Sequence, residues 1–285
     1  MKRIKLLIVI LVIGFTSFGC IKRDKYQDIK IYTTAYPIEY ILNYLYGENS
    51  KISTIYPAGC DVKTFELTPK QIKDYSKGDM FVYNELSHEK NVAAKLLNTN
   101  KKLDSIPVAK GLDIENDVTE LWLSPTNFLM LASNIKNSLK GYLSNQNLID
   151  AIDANYEDLK VKISEIDAEL KEIAESAKNN KLVVSSNTLK FLNNYGFEVI
   201  SIVDNENSNT NKSQAKKLFS SKEVEYLFVT NNDEENEDIK ELTKAGASIV
   251  EIPELYTISE EQRKNKLDYI YFIKNMIESI KTEVY

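Results

Sequence analysis

The segment Ile149–Ile173 constrains this chain more than any other. Ile149, Ile152, Tyr156, Leu159, Ile163, Ile166, Leu170 and Ile173 recur at steps of three and four, and Asp153, Glu157, Lys160, Lys162, Glu165, Glu169, Lys171 and Glu172 fill the positions between. Such spacing puts one apolar stripe along a helix and leaves the rest to solvent. It predicts a helix of about 30 residues, roughly 45 Å long. In isolation the same pattern fits a coiled coil of about four heptads. The flanking sequence argues otherwise, because strand–helix alternation runs on both sides, and a helix bridging two lobes is the better reading.

Before the long helix, Lys22–Asp28 reads as a polar tether and Ile29–Thr34 as a first strand. Pro37 opens a helical pattern carried by Ile38, Ile41, Leu42 and Leu45 and ended by Gly47. Ile52–Tyr56 is a second strand stopped by Pro57 and Gly59, Thr68-Pro69 a helix start, and Met80–Tyr83 a short buried strand. After the long helix, strands are expected at Lys181–Ser185, Val199–Val203, Tyr226–Thr230 and Ser248–Ile252. Helices are expected at Thr188–Asn194, Ser213–Ser220, Asp238–Lys244 and Glu260–Val284, with Asp204–Lys212 as a polar loop. Strand–helix alternation implies parallel sheets with helices on their faces. The expected fold is α/β: an N-terminal lobe over 29–145, a connecting helix over 146–179 and a C-terminal lobe over 180–285.

The N-terminus fixes the compartment. Lys2, Arg3 and Lys5 precede an apolar run from Leu6 to Thr16, then Ser17-Phe18-Gly19-Cys20. The run is about 11 residues, too short for a membrane-spanning helix of roughly 20. It reads as a secretory signal over 1–19, with Cys20 as an acylated first residue of the mature chain and 20–28 as the tether. The chain would then be exported and held at the outer face of the cytoplasmic membrane. A plain secretory signal or an uncleaved anchor is the alternative. Without Lys2, Arg3 and Lys5, 33 basic and 42 acidic residues leave a net charge near −9. That balance excludes a nucleic-acid partner, which needs a basic face. With Cys20 lipidated, Cys60 has no disulfide partner. His88 is the only histidine, so no site needing two imidazoles can form. No Gly-rich phosphate loop, nucleophile elbow or triad histidine is present, and an enzyme is not expected.

Several motifs resemble the zinc- and manganese-binding solute-binding lipoproteins of bacterial ABC importers, some of them adhesin-like. Thr33-Thr34-Ala35-Tyr36-Pro37 is similar to the family's opening strand and Pro-started helix. Residues Pro57 to Pro69 resemble its metal loop, Pro-x-Gly-x-(Asp/Glu)-Pro-His-x-(Tyr/Phe)-Glu-Pro-Thr-Pro, and Tyr83-Asn84 with Glu89 resemble its next strand end. Leu121-Trp122-Leu123-Ser124-Pro125-Thr126-Asn127 looks like its Trp-Leu-(Asp/Ser)-Pro-x-Asn. The long helix, Leu182–Ser185, Tyr195-Gly196 and Asp268-Tyr269 follow in register. The resemblance implies two α/β lobes joined by one rigid helix, a ligand held in the cleft between them, and a permease and ATPase as partners.

It also implies a ligand set that is missing. The family's histidine positions fall on Lys63, on Glu120, and on Ser186 or, with a shifted gap, Asn187; the acidic position falls around Ile252-Pro253, flanked by Glu251 and Glu254. An ammonium has no lone pair to offer, and one carboxylate with a neutral oxygen is not a tight zinc site. Lys63 and Glu120 are expected to face each other as an ion pair on the cleft floor. No resident cofactor is expected. The first function reading is a binding protein whose cleft takes another small solute, with Lys63, Glu120, Ser186, Asn187, Glu89, Tyr36, Trp122, Glu251 and Glu254 as cleft residues. The alternatives are zinc or manganese transport through a rearranged set drawn from Glu120, Glu251, Glu254, Glu89, Cys60 or His88, and a ligand-free surface adhesin or accessory protein. Bland readings stand beside these: Lys63 as a solvent-facing loop residue, Glu120 as a cap or surface ion pair, His88 at the surface, Cys60 and Trp122 in the core.

Overall fold

Short apolar runs buried on both faces dictate the two sheets. In the computed structural model, which describes residues 28–112, 114–204, 207–230 and 236–285, all four residues of Met80–Tyr83 are buried, as a strand covered by helices on both sides requires. β1 (Ile29–Thr33), β2 (Ser50–Thr54), β3 (Met80–Tyr83) and β4 (Asp104–Pro107) form a parallel sheet in the order β2-β1-β3-β4, with Ile31 opposite Ile52 and Met80. The crossovers carry α1 (Tyr36–Tyr46), α2 (Pro69–Tyr75) and α3 (Glu89–Thr99). Pro37 stands in the first turn of α1, and Thr68 and Gln71 close a reciprocal capping box on α2. The secretory signal and Cys20 lie outside the described residues.

Between the lobes come α4 (Glu120–Leu123), α5 (Pro125–Tyr142) and the long helix α6 (Gln146–Ser176). Ile152, Leu159, Ile163, Ile166, Leu170 and Ile173 form the buried stripe of α6. Its first half packs on the N-terminal lobe, where Asn155 donates to the Leu45 carbonyl and Tyr44 bonds Asp158. Its second half packs on the C-terminal lobe through Tyr195–Asp167 and Lys281–Glu169, both at 2.6 Å.

The second sheet repeats the first. β5 (Lys181–Val184), β6 (Glu198–Ser201), β7 (Tyr226–Thr230) and β8 (Ser248–Ile252) are parallel in the order β6-β5-β7-β8. α7 (Ser208–Ser221) and α8 (Glu237–Lys244) cross between strands, and α9 (Glu260–Lys264) and α10 (Tyr269–Val284) close the chain. One apolar core runs from the first sheet along α6 into the second, with a smaller cluster on the outer face of each lobe. Among the described residues no helix is long and apolar enough to cross a membrane.

Several elements differ from the sequence reading. The expected helix at Thr188–Asn194 is a 3-10 turn over Lys190–Tyr195, stopped where Gly196 takes φ 106°. The terminal helix is two helices: Ser259 caps one and Asp268 the other, and Lys266 sits at φ 55° between them. α7 starts at Ser208, inside the expected loop, because its first turn is polar and solvent-facing, with no apolar period to mark it. β4 and α5 were not anticipated. β4 buries one residue of its four, Ile106.

Candidate ligand cleft

Both lobes leave buried polar atoms unpaired near the ends of their strands. Among the described residues, seven buried side-chain atoms find no partner of acceptable geometry: the hydroxyls of Thr33, Thr34, Thr188 and Ser201, Asn84 Nδ2, Glu89 Oε1 and Asn187 Oδ1. Thr33 ends β1, Thr34 follows it, and Asn84 and Glu89 follow β3. Asn187 and Thr188 follow β5, and Ser201 ends β6. All seven therefore sit at the carboxyl ends of the two sheets, the end at which open parallel sheets bind ligands. Stable cores rarely leave such groups unpaired.

Two hollows separate the lobes. The smaller, about 360 Å³, lies between the loop after β2 and the segment after β8 and is lined by Gly59, Cys60, Lys63, Thr230, Glu254 and Tyr256, among others. Asp61 shapes the loop by accepting from the Lys63 amide at 2.9 Å and the Thr64 hydroxyl at 2.8 Å; these bonds hold its carboxyl below the usual range. Gly59 supplies the turn at φ 71°. Lys63 leaves this loop 68% exposed, with Nζ 3.6 Å from Glu254 Oε1 of the opposite lobe. Burial pushes the Cys60 thiol up, so it is a poor thiolate donor.

The larger hollow, about 560 Å³, lies between the start of α4 and the 190–195 turn, with Asp167 and Lys171 of α6 behind it. Glu120 lines it, only 4% exposed, and Oε1 accepts from Asn116 Nδ2 at 2.8 Å. Burial raises its pKa, and Asp117 and Glu115 add to the shift. Lys63 and Glu120 thus line different hollows, and the ion pair expected between them is replaced by Lys63–Glu254 on one side and Asn116–Glu120 on the other.

A strap of chain, residues 253–257, forms one wall of the smaller hollow through Glu254, Leu255, Tyr256 and Thr257. The Tyr256 carbonyl accepts from the Tyr36 amide at 2.9 Å, the Glu254 carbonyl from Trp122 Nε1 at 2.8 Å, and Thr257 Oγ1 from the Gly59 amide at 3.1 Å. Leu255 adopts φ 61°, and the Tyr256 ring meets Trp122 edge-on at 5.0 Å. Beside it, Arg263 forks onto Glu39 at 2.7 and 3.0 Å and lies over the Tyr36 ring. The segment that follows the C-terminal sheet is therefore docked on the N-terminal lobe.

Residues 31–283 match the sequence model of the family described as zinc-uptake complex component A, periplasmic. The chain belongs to this family. It is 22% identical over 289 aligned residues to the zinc-binding protein AdcA of Streptococcus pyogenes, an alignment covering 89% of this chain and 55% of that protein. The chain thus spans about half the length of those zinc-binding relatives. The manganese ABC transporter substrate-binding lipoprotein PsaA of Streptococcus anginosus is 26% identical over 206 residues, 65% of this chain and 66% of that one. The Zn(II)-bound ZnuA-like domain of Streptococcus pneumoniae AdcA shares the fold, with a TM-score of 0.72 at 20% identity, covering 90% of this chain and 99% of that domain. These relatives are solute-binding proteins rather than enzymes.

The family positions are scattered here. Besides Lys63 and Glu120, half-buried Ser186 accepts from the Thr188 amide at 3.4 Å. Asn187 buries its Oδ1 unpaired nearby. Glu251 points to the outer side of the C-terminal lobe, into a groove with Gln262, Tyr271 and Asn275, away from Glu254. Glu89 is fully buried in the N-terminal lobe; Ser87 donates to its Oε2 at 2.6 Å, and burial lifts its carboxyl to about 7 against the nearby hydroxyls of Ser87, Tyr56 and Thr34. His88 Nε2 is 3.0 Å from the Tyr56 hydroxyl. Tyr36 and Trp122 are buried under the strap rather than lining either hollow. Among the described residues no three His, Cys, Asp or Glu side chains converge on one point. The donors present do not fit a tight zinc ion, which wants nitrogen or sulfur in a tetrahedral set.

The sequence reading did not single out Tyr256, Lys190 or Asn116, and it named Tyr195 only beside Gly196 as a family match. Their places depend on strap docking, on a 3-10 turn and on the loop before α4, none of which leaves a periodic signal in sequence.

Proposed function

We propose that this chain is the extracytoplasmic solute-binding component of an ABC importer, lipid-anchored through Cys20, with a cleft that takes a small organic solute in place of tightly held zinc or manganese. The two polar hollows between the lobes, lined by residues that follow strands of both sheets, carry the reading of a ligand cleft. The spread of the candidate metal donors over four separate places supports a solute other than a transition metal. Permease and ATPase partners follow from family membership.

Elemental analysis of protein purified without chelator tests the cleft. The wild type is expected to carry far less than one zinc or manganese per chain; a stoichiometric ion overturns the reading. For the anchor, Cys20→Ser is expected to release the protein into the soluble fraction, and retention on the membrane would refute acylation there.

A further inference from the structure

The class of solute can be narrowed, on the reading that the cleft binds one at all. The larger hollow, at about 560 Å³, has the size of a small-molecule site. Glu120 is its most buried charged side chain, and while Oε1 is held by Asn116, Oε2 has no hydrogen bond among the described residues. Two ammonium groups share the space, but both are engaged. Lys190 Nζ lies 3.0 Å from Asp204, and Lys171 Nζ lies 2.6 Å from Asp167, which also accepts from the Tyr195 hydroxyl at 2.6 Å. Lys190 favours the charged form of Glu120 from a distance, and Asp117 and Glu115 oppose it. Among the described residues neither Glu115 nor Glu120 has an ion-pair partner, so the hollow holds an excess of carboxylate.

Oε2 is not among the buried unpaired atoms, so it opens into the hollow from an otherwise nearly buried side chain, where a cation can make a charge-assisted hydrogen bond to it. A bare transition metal is a poor candidate, because Glu120, Glu115 and Asp167 do not converge on one point, Asp167 is already paired with Lys171, and the other polar groups are amides, hydroxyls and ammoniums. An anion would meet the carboxylate excess. An alkylammonium can donate to Oε2 without needing a coordination shell, and Asn116, Asn127 and Thr126 can serve the polar remainder of such a molecule. We propose that this hollow binds a small organic amine bearing hydroxyl or further amine groups, with its ammonium seated on Glu120 Oε2.

Isothermal titration of the purified mature chain tests this with matched probes: 1,4-diaminobutane against 1,4-butanediol, and glucosamine against glucose. At least one amine is expected to bind tenfold or more tighter than its hydroxyl counterpart. Glu120→Gln, which keeps the acceptor for Asn116, is expected to remove at least tenfold of that affinity. Thr126→Trp, on the exposed first turn of α5, is expected to block the hollow while leaving the melting temperature unchanged. The proposal falls if alcohol and amine bind alike, if no amine binds, or if either Glu120→Gln or Thr126→Trp leaves amine binding intact. Native mass spectrometry on the same preparation separates two kinds of failure. A different organic solute displaced by Thr126→Trp sinks the amine assignment and leaves a solute-binding cleft standing; stoichiometric zinc sinks both.

Discussion

Glu89 shows how much a single buried side chain can govern. Its carboxyl is fully buried and lifted to about 7, above the roughly 4.5 of an unfolded chain. A folded-state pKa above the unfolded one means that the native state holds the extra proton between those values. Stability from this group is therefore full below about pH 4.5 and is lost as pH rises through 7. The cost of ionising it is about 3 kcal/mol. Glu89→Gln is expected to match the wild type near pH 4 and to exceed it by up to that amount at pH 8, measured by urea unfolding at both pH values. An unchanged pH slope in the variant would refute this. At this scale the sequence was only partly legible. The loss of imidazoles could be read from one histidine in 285 residues. The choice of Glu254 over Glu120 as the partner of Lys63 could not, because it depends on where a strap from the other lobe comes to rest.

Among the elements, those with a strong apolar period were readable and those defined by docking were not. The stripe on α6 and the buried run of β3 follow from residue spacing alone. β4 buries only Ile106, and the 3-10 turn at Lys190–Tyr195 has the composition of a short helix. The strap is the least periodic of all, yet it closes three hydrogen bonds and an aromatic contact between lobes. Tyr256→Ala is expected to lower stability by roughly 2–3 kcal/mol, less than for a fully buried aromatic because the ring is partly exposed. Chemical denaturation measures this, and a loss below about half a kcal/mol would mean that the strap rests on its backbone bonds alone. Loosening the strap is also expected to speed amide exchange at Trp122 and Gly59 while leaving β5 and β7 protected.

For the whole molecule, the decisive feature is a core that does not stop at the lobe boundary. Apolar contacts continue from the first sheet through α6 into the second, and the strap and the Glu39–Arg263 pair add a second connection beside the helix. Two links leave little freedom for the lobes to swing independently. Calorimetry is expected to give one unfolding transition, with calorimetric and van't Hoff enthalpies in agreement; two resolved transitions would show that the lobes are separate folding units. The two-lobed plan with a bridging helix could be foreseen from the alternation of patterns. The double connection could not, since it joins residues more than 100 positions apart.

Trp122 is the chain's only indole, and its N–H is held by a carbonyl of the strap while its ring abuts Tyr256. Any cargo that nudges the seam between the halves must disturb that one chromophore. The protein thereby carries its own optical gauge: a change in emission colour on loading would report the lobes' adjustment to their guest, with no dye attached and no second tryptophan to blur the signal.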